Sequence, residues 1–120
     1  MSTKPKIAFL FPGQGSQAVG MGKDFHDMSA EARQIFSEAD DVLGAKISEI
    51  CFEGPEERLK FTENTQSALL AVSTVAFRLL GITPAVAAGH SLGEYSAFVA
   101  AGTISFADAI KTVRNRGRYM

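Results

Sequence analysis

Two short apolar runs, far apart in the chain, restrict the fold more than any other feature of this sequence. Residues 7–11 (IAFLF) stop at Pro12 and Gly13, and residues 85–89 (AVAAG) form the second run. Continuous apolar runs of this length are typical of strands buried on both faces of a parallel sheet. Helical patterns follow each run, and strands that alternate with helices predict an α/β fold with a parallel sheet. Two strands alone do not make a stable sheet of this kind, so we expect residues 1–120 to be part of a larger domain.

Helical segments are predicted from apolar periodicity and from residues that start or end helices. Ser29 can cap a helix that runs to Leu43, and Gly44 is placed to end it. Residues 64–80 form a long helix whose centre is apolar on nearly every face, and such a helix is expected to be buried. A short helix is predicted from Pro55, and another from about 92 to 101. A last helix is predicted from 106 onward, after a capping pattern at Ser105 and Asp108. Residues 47–52 are ambiguous.

The charge balance and the single cysteine exclude several kinds of protein. Twelve basic and 13 acidic side chains give a net charge of −1, which indicates no surface for nucleic acid or for an anionic membrane. Cys51 is alone, so no internal disulfide can form, and without an elbow motif around it we interpret it as a core residue. No signal peptide, membrane span or metal-ligand pattern is recognisable, and a cytoplasmic location is the expectation.

The strongest candidate for chemistry is the pentapeptide Gly89-His90-Ser91-Leu92-Gly93, which matches G-x-S-x-G. It lies between a predicted strand and a predicted helix, where this motif places a serine hydroxyl on a sharp, exposed turn. Gly89 and Gly93 avoid collisions where strand and helix cross, and the helix N-terminus places the Leu92 backbone N–H beside a developing oxyanion. Ser91 is therefore the candidate nucleophile. The alternative is a glycine-rich turn with a solvated serine.

Neither histidine of the chain is favoured as the base for this serine. His90 adjoins Ser91, and because neighbouring side chains diverge, a packing or hydrogen-bonding role is favoured for it. His26 lies in a polar stretch that we expect to be exposed.

A second glycine-rich loop, residues 13–17 (GQGSQ), leaves the end of the first predicted strand. Sites in open α/β sheets form beyond the carboxyl ends of strands, so this loop and the serine turn can meet. Gly13 and Gly15 permit close backbone approach, and Gln14 can supply a backbone N–H as a second oxyanion donor. Neither G-x-G-x-x-G nor a P-loop with its lysine is present, which argues against a phosphate-binding loop. A plain tight loop remains the alternative.

The last predicted helix separates its basic side chains into two groups. Lys111, Arg114 and Arg118 fall on one side, whereas Arg116 falls at the margin of the apolar side. A guanidinium near the core needs an anion, because an unpaired buried charge is costly. Its partner is either a structural Asp or Glu or a substrate carboxylate held by two hydrogen bonds.

Three segments together resemble the malonyl-CoA:acyl carrier protein transacylase family, namely residues 13–17 (GQGSQ), 89–97 (GHSLGEYSA) and 114–117 (RNRG). The resemblance runs along the whole chain, and acyltransferase domains of polyketide and animal-type fatty acid synthases are similar. Met1, a few residues before the first strand, favours a discrete bacterial-type enzyme. The resemblance implies that residues 1–120 are the N-terminal part of an α/β-hydrolase-like large subdomain, with a ferredoxin-like small subdomain inserted later in the chain.

The resemblance also implies a reaction and the residues that perform it. Ser91 attacks the malonyl thioester of coenzyme A, and the phosphopantetheine thiol of acyl carrier protein then takes the malonyl group, in fatty acid biosynthesis. By position, Gln14 and Leu92 match the backbone oxyanion donors, and Arg116 matches the arginine that binds the malonyl carboxylate. Leu92 also matches the malonyl-preferring pattern, whereas a glutamine there would indicate methylmalonyl. No permanently bound cofactor is implied.

One part of the family's machinery is not among these 120 residues. The family's catalytic histidine lies well downstream of the serine turn, and serine without a base is a weak nucleophile. We therefore expect the 120 residues alone to be inactive. Two alternatives stay open: a serine esterase or thioesterase, for which a carboxylate-binding Arg116 has no use, and an inactive fragment that only binds carrier protein.

Overall fold

The structure is a computed structural model that describes residues 6–120, so Met1 lies outside the described residues. Strands and helices alternate as the sequence predicts, and the α/β class is confirmed. None of the helices in this range is long and apolar enough to cross a membrane. The elements are β1 (Ala8–Phe11), α1 (Lys23–Met28), α2 (Ala30–Leu43), α3 (Ile47–Glu53), α4 (Glu56–Lys60), α5 (Thr62–Leu80), β2 (Val86–Gly89), α6 (Gly93–Ala100) and α7 (Phe106–Arg118).

The two strands pair in parallel, with Ala8 opposite Val86 and Phe11 opposite Gly89. The predicted parallel sheet is therefore confirmed, but the prediction that both of its faces are buried is wrong. Leu10 is 79% exposed and Val86 is 62% exposed. Side chains alternate between the two faces of a strand, and the described helices cover only one face. An apolar groove of about 390 Å³ also stays open between β1 and the C-terminal half of α5.

The hydrophobic core surrounds the first half of α5. Residues 64–71 are all buried, because α2, α3, α4, α6 and α7 all pack against this helix. The last turns are only partly covered, and Leu80 is 56% exposed. The prediction of a helix buried on all sides is thus right for its first half and wrong for its end.

The predicted helix ends lie where their capping residues indicate. Ser29 Oγ accepts a hydrogen bond of 3.2 Å from the Ala32 N–H at the start of α2, and Gly44 ends that helix with φ of 62°. Ser105 Oγ accepts 3.1 Å from the Asp108 N–H at the start of α7. The Ser105 cap fixes the start of α7, the helix that carries Arg116.

The ambiguous segment forms α3, and Cys51 is one of its buried residues. The Asp40 carboxylate accepts hydrogen bonds from Ser48 N at 2.9 Å and Ser48 Oγ at 2.5 Å, which satisfies the first turn of this helix. Burial raises the pKa of the Cys51 thiol to about 12, with a further contribution from the charge of Asp40. The core interpretation of Cys51 is therefore confirmed. The short α4 follows directly after Pro55.

Candidate active site

Ser91 lies at a strained turn between β2 and α6. Its φ of 56° falls in the left-handed region, and no other non-glycine residue in the range 6–120 has a positive φ. A conformation of this kind costs about 1–3 kcal/mol and persists only where surrounding contacts enforce it. The side chain is exposed. The G-x-S-x-G pattern therefore forms the sharp, exposed strand-to-helix turn that the sequence predicts.

Two glycines allow the strand and the helix to cross at this turn. A Cβ atom on Gly89 would overlap the backbone carbonyl of Gly93, and a Cβ atom on Gly93 would overlap the carbonyl oxygen of Phe11. The His90 N–H donates to that same Phe11 oxygen at 3.2 Å. The steric explanation for both glycines is confirmed, and the turn is held directly against the end of β1.

The second glycine-rich loop meets the serine turn, as the sequence predicts. A Cβ atom on Gly13 would lie 2.5 Å from the carbonyl oxygen of His90. The backbone N–H groups of Gln14 and Leu92 have no hydrogen-bond partner among residues 6–120. Gln14 is exposed, whereas Leu92 is fully buried, backbone included. Their role as oxyanion donors stays a prediction.

Arg116 reaches the serine turn from α7. Its Nη2 donates to Ser91 Oγ at 3.0 Å, and its Nη1 donates to Gln66 Oε1 at 2.7 Å. The guanidinium carbon lies 5.6 Å from the centre of the Tyr95 ring, a cation–π contact. No carboxylate in the described part of the chain forms an ion pair with Arg116. The structural Asp or Glu considered from the sequence is thus not found there, and a neutral amide lies in its place.

The chain matches a known protein family over nearly its whole length. The pattern of the acyl transferase domain family matches residues 8–120. The chain belongs to this family. It is 55% identical, over 118 residues, to the malonyl CoA-acyl carrier protein transacylase of Bacillus subtilis (strain 168), and the match covers 96% of this chain and 37% of that protein.

Solved structures of acyl transferases superpose closely on the chain. An acyl carrier protein S-malonyltransferase from Vibrio cholerae O1 biovar eltor gives a TM-score of 0.92 at 52% identity, covering 97% of this chain and 39% of that one. A malonyl-transacylase in complex with its type II PKS acyl-carrier protein gives 0.90 at 46% identity, covering 95% and 38%. The chain therefore spans somewhat more than a third of the length of these relatives.

Gln66 is the residue of this candidate site that sequence reasoning missed. It is fully buried on α5, and 50 positions separate it from Arg116. Its neighbours Thr65 and Ser67 are also polar and buried, and a single glutamine carries no motif. One signal was available: an amide in a helix that is apolar on nearly every face needs a polar partner.

No histidine that could act as a base for Ser91 is found in contact with it among residues 6–120. Neither His90 nor His26 forms a hydrogen bond with Ser91 there. His26 Nδ1 lies 3.4 Å from Asp27 Oδ1, and its ring centre lies 5.0 Å from that of Phe52. This packing leaves His26 itself half-buried, whereas residues 24, 25 and 27 of its polar stretch are exposed as expected. No group of three or more metal-ligating side chains occurs in the described part of the chain.

Proposed function

We propose that this chain is the N-terminal part of an enzyme that transfers a malonyl group from coenzyme A to the phosphopantetheine thiol of acyl carrier protein, through a malonyl-serine ester. Malonyl-CoA is then a substrate, acyl carrier protein is the partner, and no cofactor stays bound. The proposal is supported by relatives named as malonyl transacylases and by the one in complex with its acyl-carrier protein. We infer an α/β-hydrolase-like large subdomain and a role in fatty acid biosynthesis in the cytoplasm.

The observation that carries the proposal is the distance of 3.0 Å between Ser91 Oγ and Arg116 Nη2. A malonyl group has one methylene between its thioester carbonyl and its carboxylate. When the carbonyl carbon is bonded to Ser91 Oγ, the carboxylate therefore lies within a few ångströms of that oxygen. Arg116 is at that place, and its planar guanidinium can hold a carboxylate by two parallel hydrogen bonds.

The first half of the proposed reaction forms the ester. Ser91 Oγ attacks the thioester carbonyl while its proton passes to a base, and the carbonyl oxygen becomes an oxyanion. The backbone N–H groups of Gln14 and Leu92 stabilise that charge, and removing one such donor typically costs a factor of about 10²–10³ in rate. The carbon–sulfur bond then breaks, and coenzyme A leaves as a thiol after taking up the proton.

The second half reverses these steps with a different thiol. The phosphopantetheine sulfur attacks the ester carbonyl, and Ser91 Oγ leaves and recovers a proton. A base is needed in both halves, because serine is a weak nucleophile at neutral pH. We propose that a histidine outside these 120 residues supplies it, so the isolated chain is inactive.

Truncation of Arg116 tests the proposal in the whole protein. Arg116→Ala should lower kcat/KM for malonyl-CoA about 30-fold to 1,000-fold, because the substrate carboxylate loses its charged partner. Transfer of an uncharged acetyl group should change about threefold or less, since acetyl makes no ion pair. The measurement is kcat/KM for malonyl-CoA and acetyl-CoA with holo carrier protein as acceptor.

Arg118→Ala is the matched control for this test. Arg118 lies on the same helix, but its Nε pairs with Glu63 Oε2 at 3.1 Å and the residue is exposed. We expect both transfer reactions to stay close to wild type in Arg118→Ala. Equal losses for malonyl and acetyl in Arg116→Ala, together with release of the acyl group to water, would contradict the proposal and favour an esterase or thioesterase.

A further inference from the structure

Gln66 binds the guanidinium of Arg116 at the nitrogen that does not contact Ser91. The glutamine side chain is fully buried, and its Oε1 accepts from Arg116 Nη1 at 2.7 Å. An arginine side chain has only donors, so the end of the amide that faces it must be the oxygen. The nitrogen end donates to Met120 Sδ at 2.9 Å, which agrees with this orientation. Nη2 is thereby left to face Ser91 Oγ.

The close approach of two helices brings Gln66 within reach of Arg116. A Cβ atom on Gly117 would overlap the backbone of Glu63, so α7 lies directly against the first turns of α5. Gln66 lies one turn after Glu63, and Arg116 immediately precedes Gly117. The contact is therefore set by two packed helices, and such a scaffold holds a side chain more firmly than a loop.

Gln66 is a neutral partner for Arg116, so it leaves the charge of the guanidinium unpaired. Arg118, two residues away, pairs with the carboxylate of Glu63, whereas no carboxylate in the range 6–120 pairs with Arg116. A buried carboxylate beside Arg116 would form an ion pair and neutralise the guanidinium before any substrate arrived. An amide oxygen orients the same group by a hydrogen bond and leaves its positive charge uncompensated.

We propose that Gln66 is a positioning residue that determines acyl specificity: it aims Arg116 at the acyl group on Ser91 while keeping the arginine charge free for the substrate carboxylate. This assignment rests on the proposed malonyl transfer and deepens it. Gln66 acts through Arg116 and does not itself touch the reacting atoms. Its removal should therefore change the selection of carboxylated over uncharged acyl groups.

Gln66→Glu in the whole protein is the main test. The new carboxylate competes with the substrate for Arg116, so KM for malonyl-CoA should rise and the ratio of kcat/KM for malonyl-CoA to that for acetyl-CoA should fall about 10-fold to 100-fold. Acetyl transfer should be retained or improved. Gln66→Met, which keeps the side-chain length without the acceptor, should lower the same ratio about fivefold. This second variant keeps the test decisive if Gln66→Glu does not fold.

Thr74→Val is the matched control on the same helix. Thr74 is also buried, and its Oγ1 has no hydrogen-bond partner among residues 6–120. Its replacement should leave the malonyl-to-acetyl ratio unchanged. Thermal unfolding of every variant separates a loss of fold, which lowers both transfer rates together, from a change in specificity.

The role of Gln66 and the proposed malonyl transfer are contradicted by different results. Suppose that the wild-type protein prefers malonyl-CoA, and that the ratio of kcat/KM for malonyl-CoA to that for acetyl-CoA is the same in both Gln66 variants. This result would overturn the role of Gln66 alone. Parallel losses for malonyl and acetyl would also overturn it, since they indicate a purely structural residue. A wild-type protein that shows no preference for malonyl over acetyl would overturn the proposed function and the role of Gln66 with it.

Discussion

The left-handed backbone of Ser91 should cost the protein measurable stability, and replacing the serine by glycine should recover it. Glycine adopts a positive φ without the Cβ clash that other residues suffer there. The φ of 56° at Ser91 is such a conformation. Ser91→Gly and Ser91→Ala both delete the hydroxyl and its hydrogen bond to Arg116, so their difference isolates the backbone.

Two opposing contributions set the difference in free energy of unfolding between Ser91→Gly and Ser91→Ala. A residue with a Cβ pays roughly 1–2 kcal/mol in the left-handed region. Glycine gains that amount but loses about 0.4–1 kcal/mol because its unfolded chain has more conformational freedom. Ser91→Gly should therefore exceed Ser91→Ala in the free energy of unfolding by about 0.5–1 kcal/mol. In a protein of a few hundred residues this difference raises the midpoint of thermal unfolding by about 1–4 °C.

Thermal unfolding of both variants in the whole protein measures this difference, and Ser96 provides the control. Ser96 is buried in the helical backbone of α6, five positions after the serine turn. There Ser96→Gly should be less stable than Ser96→Ala by about 1 kcal/mol, the reverse of the order at Ser91. The reasoning is refuted if glycine is no more stable than alanine at position 91 while the order at position 96 is as expected.

Two further predictions concern the packing around the site. Gly89→Ala should lower the free energy of unfolding by about 3 kcal/mol or more, because its Cβ would displace the Gly93 carbonyl. Gly44→Ala, at φ of 62° with open space around it, should lower it by only about 0.5–1 kcal/mol in denaturant titrations. Cys51 should resist alkylation at pH 8 in the folded protein and react after unfolding, since burial raises its pKa to about 12 from an ordinary 9.0. Because the folded-state pKa is the higher one, this thiol contributes to stability below about pH 9, and the contribution declines as the pH rises toward 12. Rapid alkylation of the folded protein would contradict the prediction for Cys51. Equal losses in the free energy of unfolding for Gly89→Ala and Gly44→Ala would contradict the prediction for the glycines.

The parts of the site that local sequence signals describe were predictable. The G-x-S-x-G spacing after an apolar run and before a helical pattern favoured a sharp turn at Ser91, because small residues are needed where strand and helix cross. Arg116 was recognised because helical periodicity placed it beside apolar residues, where a lone charge is costly. Both inferences used residues within one or two turns of each other.

The remaining features depend on contacts between distant segments. The exposure of Leu10 depends on how many helices cover the sheet, which an apolar run does not indicate. The neutral partner of Arg116 was not predictable either, because no local pattern relates Gln66 to a residue 50 positions later. Periodicity could show only that Arg116 needs a partner. It could not show that a buried amide, and no carboxylate of the described chain, holds it.

The strained backbone of Ser91 is maintained by contacts that the residues on either side of it make with the rest of the fold. The side chain of Leu92 is fully buried, which anchors the residue after the serine, and the His90 N–H bonded to Phe11 O anchors the residue before it. Contacts on both sides of a residue are the kind that keep a strained φ in place. The hydroxyl is therefore presented to Arg116 by the hydrophobic core itself. Loosening the core beneath Leu92 should release the strain and lower reactivity together, since the strained geometry is stable only while those anchors hold.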